Sequence, residues 1–357
     1  MTATTCTNKL WESRMCSLVV RFLKLWTLPV AITTGIFIYF FFSRVAALSE
    51  VAVVAAPAID RIFPLSVFLT LWATFCKVDF HAMRPARWAF PIMAVQMAIA
   101  ALLIIILMQI DGTIRLVGIG LLACVIAPCA TAAPVVTAKL GGNVNRMTAY
   151  VLLSSVLSSI AIPIVSVCFS EKLGGNIGSL ESTLVSETPC LQNLLPKMLR
   201  IFSRVATIML LPLALGYLVR HYVKPLHRWV VAHTNLPFYL WAFSLTITTG
   251  VTVQSIDHSS LPASTLAIMA IGSLIVCLLQ FGIGHYVGTR SNHRMEAGQA
   301  LGQKNTALII WATVTFLHPA VALAPGCYVL WQNIVNSIEI HKATRSPLKK
   351  RQVQFPF

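Results

Sequence analysis

Acidic residues are scarce in this chain. Aspartate and glutamate together number 11 in 357 residues, and the long apolar runs contain no acidic pair. The sequence has no cluster of His, Asp or Glu at metal-ligand spacing and no Ser–His arrangement. These absences argue against hydrolase and metalloenzyme chemistry, and no cofactor or metal is expected. The nine cysteines are scattered, mostly inside apolar runs, and are interpreted as small buried apolar residues.

Apolar residues dominate instead. They make up 57% of the chain, charged residues only 11%, and the mean hydropathy is +0.78. A soluble domain of this length could not bury so much apolar surface, so we expect an all-α polytopic membrane protein in a lipid bilayer. The formal charge of +16 does not indicate nucleic-acid binding, because the basic residues form short clusters between apolar runs.

The apolar runs predict ten transmembrane helices, since a helix needs about 20 apolar residues to cross a bilayer. Basic residues follow every even-numbered run and precede the first, whereas the alternate loops are poor in Lys and Arg and carry acidic residues such as Glu50 and Asp60. By the positive-inside rule, both termini are predicted to face the cytoplasm, in the cell (inner) membrane. The predicted spans are 25–45, 61–78, 88–110, 115–139, 147–169, 198–222, 237–256, 261–287, 295–317 and 319–340.

The longest loop divides the spans into two sets of five, and the second set enters the membrane from the opposite side. We therefore predict two inverted five-helix repeats. The predicted organisation is a cytoplasmic segment 1–24, a first repeat 25–169, an external loop 170–197, a second repeat 198–340 and a basic cytoplasmic tail 341–357.

The fourth span of each set is interrupted. In the first set, Pro128 and Pro134 lie six residues apart, and in the second, Gly302 is followed by the polar run QKNT. Proline removes a backbone donor and breaks or kinks a helix. Interrupted spans at matching places in two halves indicate the central binding site of a transporter. An ordinary proline kink is the alternative interpretation.

Several motifs occur in one order along the chain: Gln96, then APCATAAPVV (127–136), LGGNV (140–144), GQKNTAL (302–308) and PGCYVLWQNIVNS (325–337). In this order and spacing they resemble the bile acid:sodium symporter superfamily. The resemblance implies a panel domain of spans 1, 2, 6 and 7 and a core of spans 3–5 and 8–10. It further implies that spans 4 and 9 unwind and cross, with substrate bound between panel and core and alternating access arising from their relative motion.

The sodium positions of the superfamily are not kept here. The ligands of one site fall on side chains without oxygen: Ala133, Pro134, Met147, Val151 and Ala300. At the second site Gln96 matches, but another ligand falls on Lys304, beside Gln303. Sodium requires several oxygen ligands, and two like charges about 4 Å apart repel by roughly 4 kcal/mol at an effective dielectric near 20. Sodium is therefore not expected, and Gln96, Gln303 and Lys304 form the predicted ion-site or coupling group.

Lys304 has two possible roles. It lies about ten residues from Arg294, near mid-depth, where a lysine costs roughly 2.5–3.5 kcal/mol to insert. As a tethered cation it would donate hydrogen bonds to Gln96 and to free carbonyls of the crossing helices. As a titrating group it would couple transport to protons. A third interpretation, a lysine that snorkels near a helix end, fits this depth less well.

The residues at the crossover suggest a small organic anion or zwitterion as substrate. Half-helix N-termini favour an anion. The alternative role of Thr and Asn there is to cap the local backbone. The predicted substrate-binding residues are Thr131, Asn305, Thr306, Gln332 and Asn333. Glu296, one turn before Ala300, is expected to be a solvated residue near the cytoplasmic end.

The predicted function is therefore sodium-independent transport of a small organic anion by alternating access. A proton-coupled carrier that uses Lys304 is one alternative. A membrane-embedded enzyme or a sensor on the same fold is the other.

Overall fold

The computed structural model describes residues 27–77, 86–170, 173, 194–233, 236–259 and 261–345. The predicted segment 1–24, most of the external loop 170–197 and the end of the basic tail lie outside the described residues. Within the described ranges the chain is helical, and β geometry is confined to an isolated antiparallel bridge between Cys129 and Lys304.

The described α-helices are named here in chain order, and a 3₁₀ turn at Pro319–Ala322 precedes the last of them. They are α1 Thr27–Arg44, α2 Ala46–Phe75, α3 Ala89–Met108, α4 Gly112–Ile126, α5 Ala133–Leu140, α6 Val144–Phe169, α7 Leu194–Met209, α8 Leu211–Tyr222, α9 Lys224–Ala232, α10 Leu236–Asp257, α11 Ala263–Thr289, α12 Arg294–Gly302, α13 Thr306–Phe316 and α14 Leu323–Arg345.

These helices are those of a multi-pass membrane protein. Six stretches in the described residues are long and apolar enough to cross a bilayer, and α4, α13 and residues 30–44 form shorter apolar helices. Large apolar side chains point outward, among them Ile105, which is 64% exposed, and Ile114 at 70%. Such an apolar surface is stable against lipid rather than water. The six stretches are Pro57–Phe75, Ala89–Met108, Val144–Phe169, Leu195–Tyr222, Leu236–Asp257 and Ala263–Thr289.

The helices pack in two groups. In one group α10 contacts α1 and α2, and α2 also contacts α7 and α8. In the other, α11 contacts α4, α12 and α14, while α5 contacts α6 and α12. The groups touch where α13 meets α2 and α10, and where α6 meets α7. Each group draws helices from both halves of the sequence, so neither half packs as a separate domain.

Some predicted boundaries are wrong. Helix α2 begins at Ala46 rather than at 61, so Glu50 and Asp60 belong to a helix and not to a loop. The segment after Val45 is rich in alanine, the best helix former, and lacks glycine, and the helix continues through Pro57 and Pro64. Helix α7 begins three residues before the end of the predicted external loop. Helix α14 continues five residues into the predicted tail.

Candidate functional site

Two broken helices meet inside the second group. The first break separates α4 from α5, between Ile126 and Ala133, and the second separates α12 from α13, between Gly302 and Thr306. A break leaves backbone donors and acceptors unpaired, which is costly away from water. The two breaks satisfy each other: the Ala130 amide donates to the Gln303 carbonyl (2.9 Å), and the Asn305 amide to the Pro128 carbonyl (2.8 Å).

Side chains from neighbouring helices satisfy the carbonyls at the end of α4. A helix leaves its last carbonyls without intrahelical partners, and proline at 128 cannot supply an amide. Each carbonyl from 124 to 127 accepts a hydrogen bond from a polar side chain. The bonds run from Gln280 Nε2 to Cys124 O (3.5 Å), from Gln96 Nε2 to Val125 O (2.9 Å) and Ala127 O (3.3 Å), and from Ser158 Oγ to Ile126 O (2.7 Å).

Lys304 lies at this same helix end. Its side chain is only 1% exposed, and its Nζ donates to the Val125 carbonyl at 3.1 Å. Among the described contacts Lys304 does not bond to Gln96, as one interpretation of the sequence required. Instead the two side chains share the Val125 carbonyl as acceptor, because both present N–H donors to it.

The position suits a cation electrostatically. The C-terminus of a helix carries about half a negative charge, and a unit positive charge about 4 Å away gains roughly 2 kcal/mol at an effective dielectric near 20. The hydrogen bond to the Val125 carbonyl is part of this same attraction, because the negative charge of the dipole lies on such carbonyls, and a bond from a charged group contributes about 1.5–3 kcal/mol. This gain offsets most of the roughly 2.5–3.5 kcal/mol cost of placing a lysine at mid-depth.

Helix α14 holds the second break. Gln332 accepts from the Lys304 amide at 2.8 Å and donates to the Lys304 carbonyl at 3.3 Å. Tyr328 donates its hydroxyl hydrogen to the Gly302 carbonyl at 2.7 Å, and Gln280 donates to that hydroxyl oxygen at 3.1 Å. Gln280 and Tyr328 therefore join the ends of α4 and α12 through one pair of side chains.

The predicted substrate-binding residues lie around the breaks, several with local roles. Asn305 accepts from the Leu308 amide (3.3 Å) and caps α13, which is the capping role weighed from the sequence. Thr131 and Thr306 are buried beside the bridge. Asn333 donates to a carbonyl of its own helix. Both polar ends of the Gln332 amide contact the backbone, so substrate contacts by these five residues remain predictions.

Gln303 contributes mainly its backbone. Its carbonyl accepts from Ala130 across the bridge, and its side chain is buried. The side-chain Oε1 has no hydrogen-bond partner among the described residues. A role in ion binding or coupling remains a prediction.

The residues at the superfamily's first sodium site form a packed apolar interior. Ala133, Met147, Val151 and Ala300 are fully buried and belong to one hydrophobic cluster. Pro134 is buried in the first turn of α5. Hydrocarbon in close contact offers a cation no oxygen ligand.

The expectation for Glu296 is wrong. Its side chain is buried, and its carboxylate accepts from the Asn143 amide (2.9 Å) at the start of α6. An anion at a helix N-terminus is favourable because the free amides and the helix dipole point toward it. The close turn at Gly142 brings the two together, since a Cβ there would lie 3.1 Å from the Glu296 carboxyl carbon.

Several residues of the site were missed by the motif comparison. Gln280, Ser158 and Tyr328 hold the broken ends, and Ser154 accepts from the Cys129 amide at 3.1 Å. Gln280 could have been noticed as a glutamine within an apolar span, where a polar side chain usually has a specific partner. Serine and tyrosine give no comparable signal.

Glycine at 302 is required by packing. A Cβ there would lie 2.3 Å from the Phe281 ring, whereas a Cβ at Gly282 on the same helix as Phe281 would meet nothing within 4 Å. We expect Gly302→Ala to lower the free energy of unfolding by about 1–3 kcal/mol, as for other overpacked cores. Gly282→Ala should have no destabilising effect. Thermal unfolding of both variants in detergent measures this, and equal stability of the two would show that the breaks do not pack as described.

These features identify the class of protein. It is an all-helical membrane protein whose core contains two interrupted helices that contact each other at their breaks. Residues 64–260, more than half of the chain, match the Sodium Bile acid symporter family, and the chain belongs to this family of membrane transporters. The resemblance inferred from the motifs is thereby confirmed. The match includes the α4–α5 break and stops short of Lys304. Comparison with curated proteins gives no significant match.

Proposed function

We propose that this protein is a secondary transporter that moves a small organic anion by alternating access and does not use sodium. The observation that carries the proposal is the position of Lys304, a buried ammonium hydrogen-bonded at the carboxyl end of the half helix α4. In transporters with broken helices, such ends and their free carbonyls are where a coupling cation binds. In this chain the cation at that place would be the ammonium group of Lys304, which is covalently attached.

The proposed architecture is ten spans in two inverted repeats. The panel would comprise α1, α2, α7 with α8, and α10, and the core the remaining long and broken helices. The contacts between helices support this division, because α10 packs on α1 and α2 while α11 packs on α4, α12 and α14. The boundary at which the two parts would move comprises the contacts of α13 with α2 and α10, of α14 with α10, and the more extensive contact of α6 with α7.

An anion is the proposed substrate because two helices begin at the breaks. The amino ends of α5 and α13 follow the bridge directly, and each presents the positive end of a helix dipole. Thr131 and Asn305, at these two starts, are the proposed contacts. The bound solute would be a small organic anion or a zwitterion with a carboxylate.

Sodium independence follows from both inferred ion sites. The first is filled by the apolar side chains of Ala133, Met147, Val151 and Ala300. At the second, the Lys304 ammonium already takes the Val125 carbonyl that Gln96 also contacts. A sodium ion would have to lose its hydration shell without a carboxylate and beside a positive charge.

We expect uptake into proteoliposomes to be unchanged when sodium is replaced by choline at equal ionic strength. Pyruvate and taurocholate serve as probes of a small and a large organic anion, and thermal unfolding with each anion screens for binding. Sodium should shift the unfolding temperature no more than potassium or choline does. A saturable stabilisation or stimulation by sodium alone would overturn the proposal, and empty liposomes are the control for leak.

A further inference from the structure

A second buried polar group lies at the other end of α12, away from the broken ends. His285 of α11 contacts Glu339 of α14, with Nε2 and Oε1 2.6 Å apart, and the two side chains are 18% and 14% exposed. The other ring nitrogen, Nδ1, lies 3.0 Å from the Arg294 carbonyl at the start of α12. One imidazole thus joins three helices.

Both ring nitrogens face oxygen acceptors. A neutral imidazole carries a single N–H, so it can donate either from Nδ1 to the Arg294 carbonyl or from Nε2 to the Glu339 carboxylate, and the other contact then sets a lone pair against an oxygen. Both contacts are hydrogen bonds only when one further proton is bound, on the ring or on the carboxyl group. We propose that His285 and Glu339 form a proton-binding site whose bound proton locks the half helix α12 against α11 and α14.

The neighbouring contacts show how this proton would hold α12 in place. Gln299 of α12 donates to the second oxygen of Glu339 (2.8 Å) and to Asn336 (2.9 Å), so Glu339 holds α12 directly as well as through His285. Helices α11 and α12 also approach each other closely at two glycines. A Cβ at Gly298 would lie 2.2 Å from the His285 ring, and one at Gly284 would lie 2.4 Å from the Ala297 carbonyl.

Loss of the proton would leave one of the two contacts without a hydrogen, at side chains that are partly buried, and that contact would weaken. The charged groups that face His285 are Glu339 from α14 and Arg294 from α12. Helix α12 leads directly into the break that contains Lys304. Release of the other end of α12 would therefore let this break move, and with it the proposed transport site. The proton site itself does not depend on the proposed function, because it can be tested without a transported anion.

Glu339→Gln provides the sharpest test. The amide has nearly the shape of a protonated carboxyl group: its nitrogen can donate to Nε2 and its oxygen can accept from Gln299. We expect wild-type protein in detergent to lose stability as pH rises through the range where unfolded histidine titrates, about pH 5.5 to 8, because the fold retains a proton that the unfolded chain releases. One linked proton corresponds to a fall in unfolding temperature on the order of 2–4 °C for each pH unit.

In Glu339→Gln this fall should disappear, with stability near the acid wild-type value at every pH. His258→Gln, an exposed histidine at the far end of α10, should keep the wild-type slope. Hydrogen–deuterium exchange of the α12 amides, corrected for its intrinsic pH dependence, should rise with pH in wild type and stay constant in Glu339→Gln. If Glu339→Gln does not fold, His285→Gln provides the same test of the pH dependence, since it also removes the titrating ring. Equal slopes in wild type and these variants, or α12 exchange that ignores pH, would overturn the proposal.

Discussion

Uptake should be abolished when Lys304 is replaced by glutamine. The change removes the bond from Nζ to the Val125 carbonyl and the positive charge at the carboxyl end of α4. A hydrogen bond from a charged group contributes about 1.5–3 kcal/mol, but the substitution also removes the roughly 2.5–3.5 kcal/mol cost of a lysine at this depth, so the free energy of unfolding should change by no more than about 1–2 kcal/mol. Gln96 still reaches the same carbonyl, and for this reason we expect a weakened break rather than an unfolded protein. Proteoliposome uptake and thermal unfolding measure the two effects.

The matched control is Lys139→Gln, because Lys139 is exposed in the last turn of α5, beyond the same break. It should leave uptake and stability near wild type. Wild-type uptake by Lys304→Gln would remove the central argument for a tethered cation. If uptake by wild type depends steeply on an imposed proton gradient and Lys304→Gln retains uptake without that dependence, Lys304 is a coupling residue rather than a fixed support.

The places where helices break could be predicted from the sequence because their causes are local. Pro128 and Pro134 cannot both continue a helix, and the polar run at Gln303 interrupts an apolar span wherever that span packs. The membrane class followed from composition for a similar reason. The start of α2 at Ala46 was missed because acidic residues were taken as loop markers, although an alanine-rich segment can carry them within a helix.

The partners of the broken ends were not predictable, since they depend on contacts between distant residues. Gln280 reaches Cys124, 156 residues away, and Tyr328 reaches Gly302 from another helix. Glu296 was misjudged in the same way: its burial comes from the start of α6, not from its own helix. The motif comparison found Gln96 and Gln332, which contact the broken ends, but it did not single out Gln280 or Tyr328, which contact them as well.

A sodium response should appear when the lost carboxylate is restored and the ammonium removed together, in the double variant Ala300→Glu with Lys304→Gln. Ala300 lies one turn before Lys304, and both are buried. The change would supply an amide oxygen at the place of the Lys304 ammonium, near Gln96, and a carboxylate one turn earlier in the chain. A carboxylate compensates the charge of the ion and favours a hard cation.

The expected result is a saturable rise in unfolding temperature with sodium that choline does not produce. At a sodium concentration about 100 times Kd, binding contributes about 2.7 kcal/mol, or roughly 3–5 °C for a chain of this length. The control is Ala300→Gln with Lys304→Gln, which adds the same volume to the apolar cluster but no charge, and should not respond. Lys304→Gln alone should not respond either, because Ala300 still lacks an oxygen. If the double variant with glutamate folds but is as indifferent to sodium as wild type, Lys304 does not occupy the place of an ion, and sodium independence has another cause.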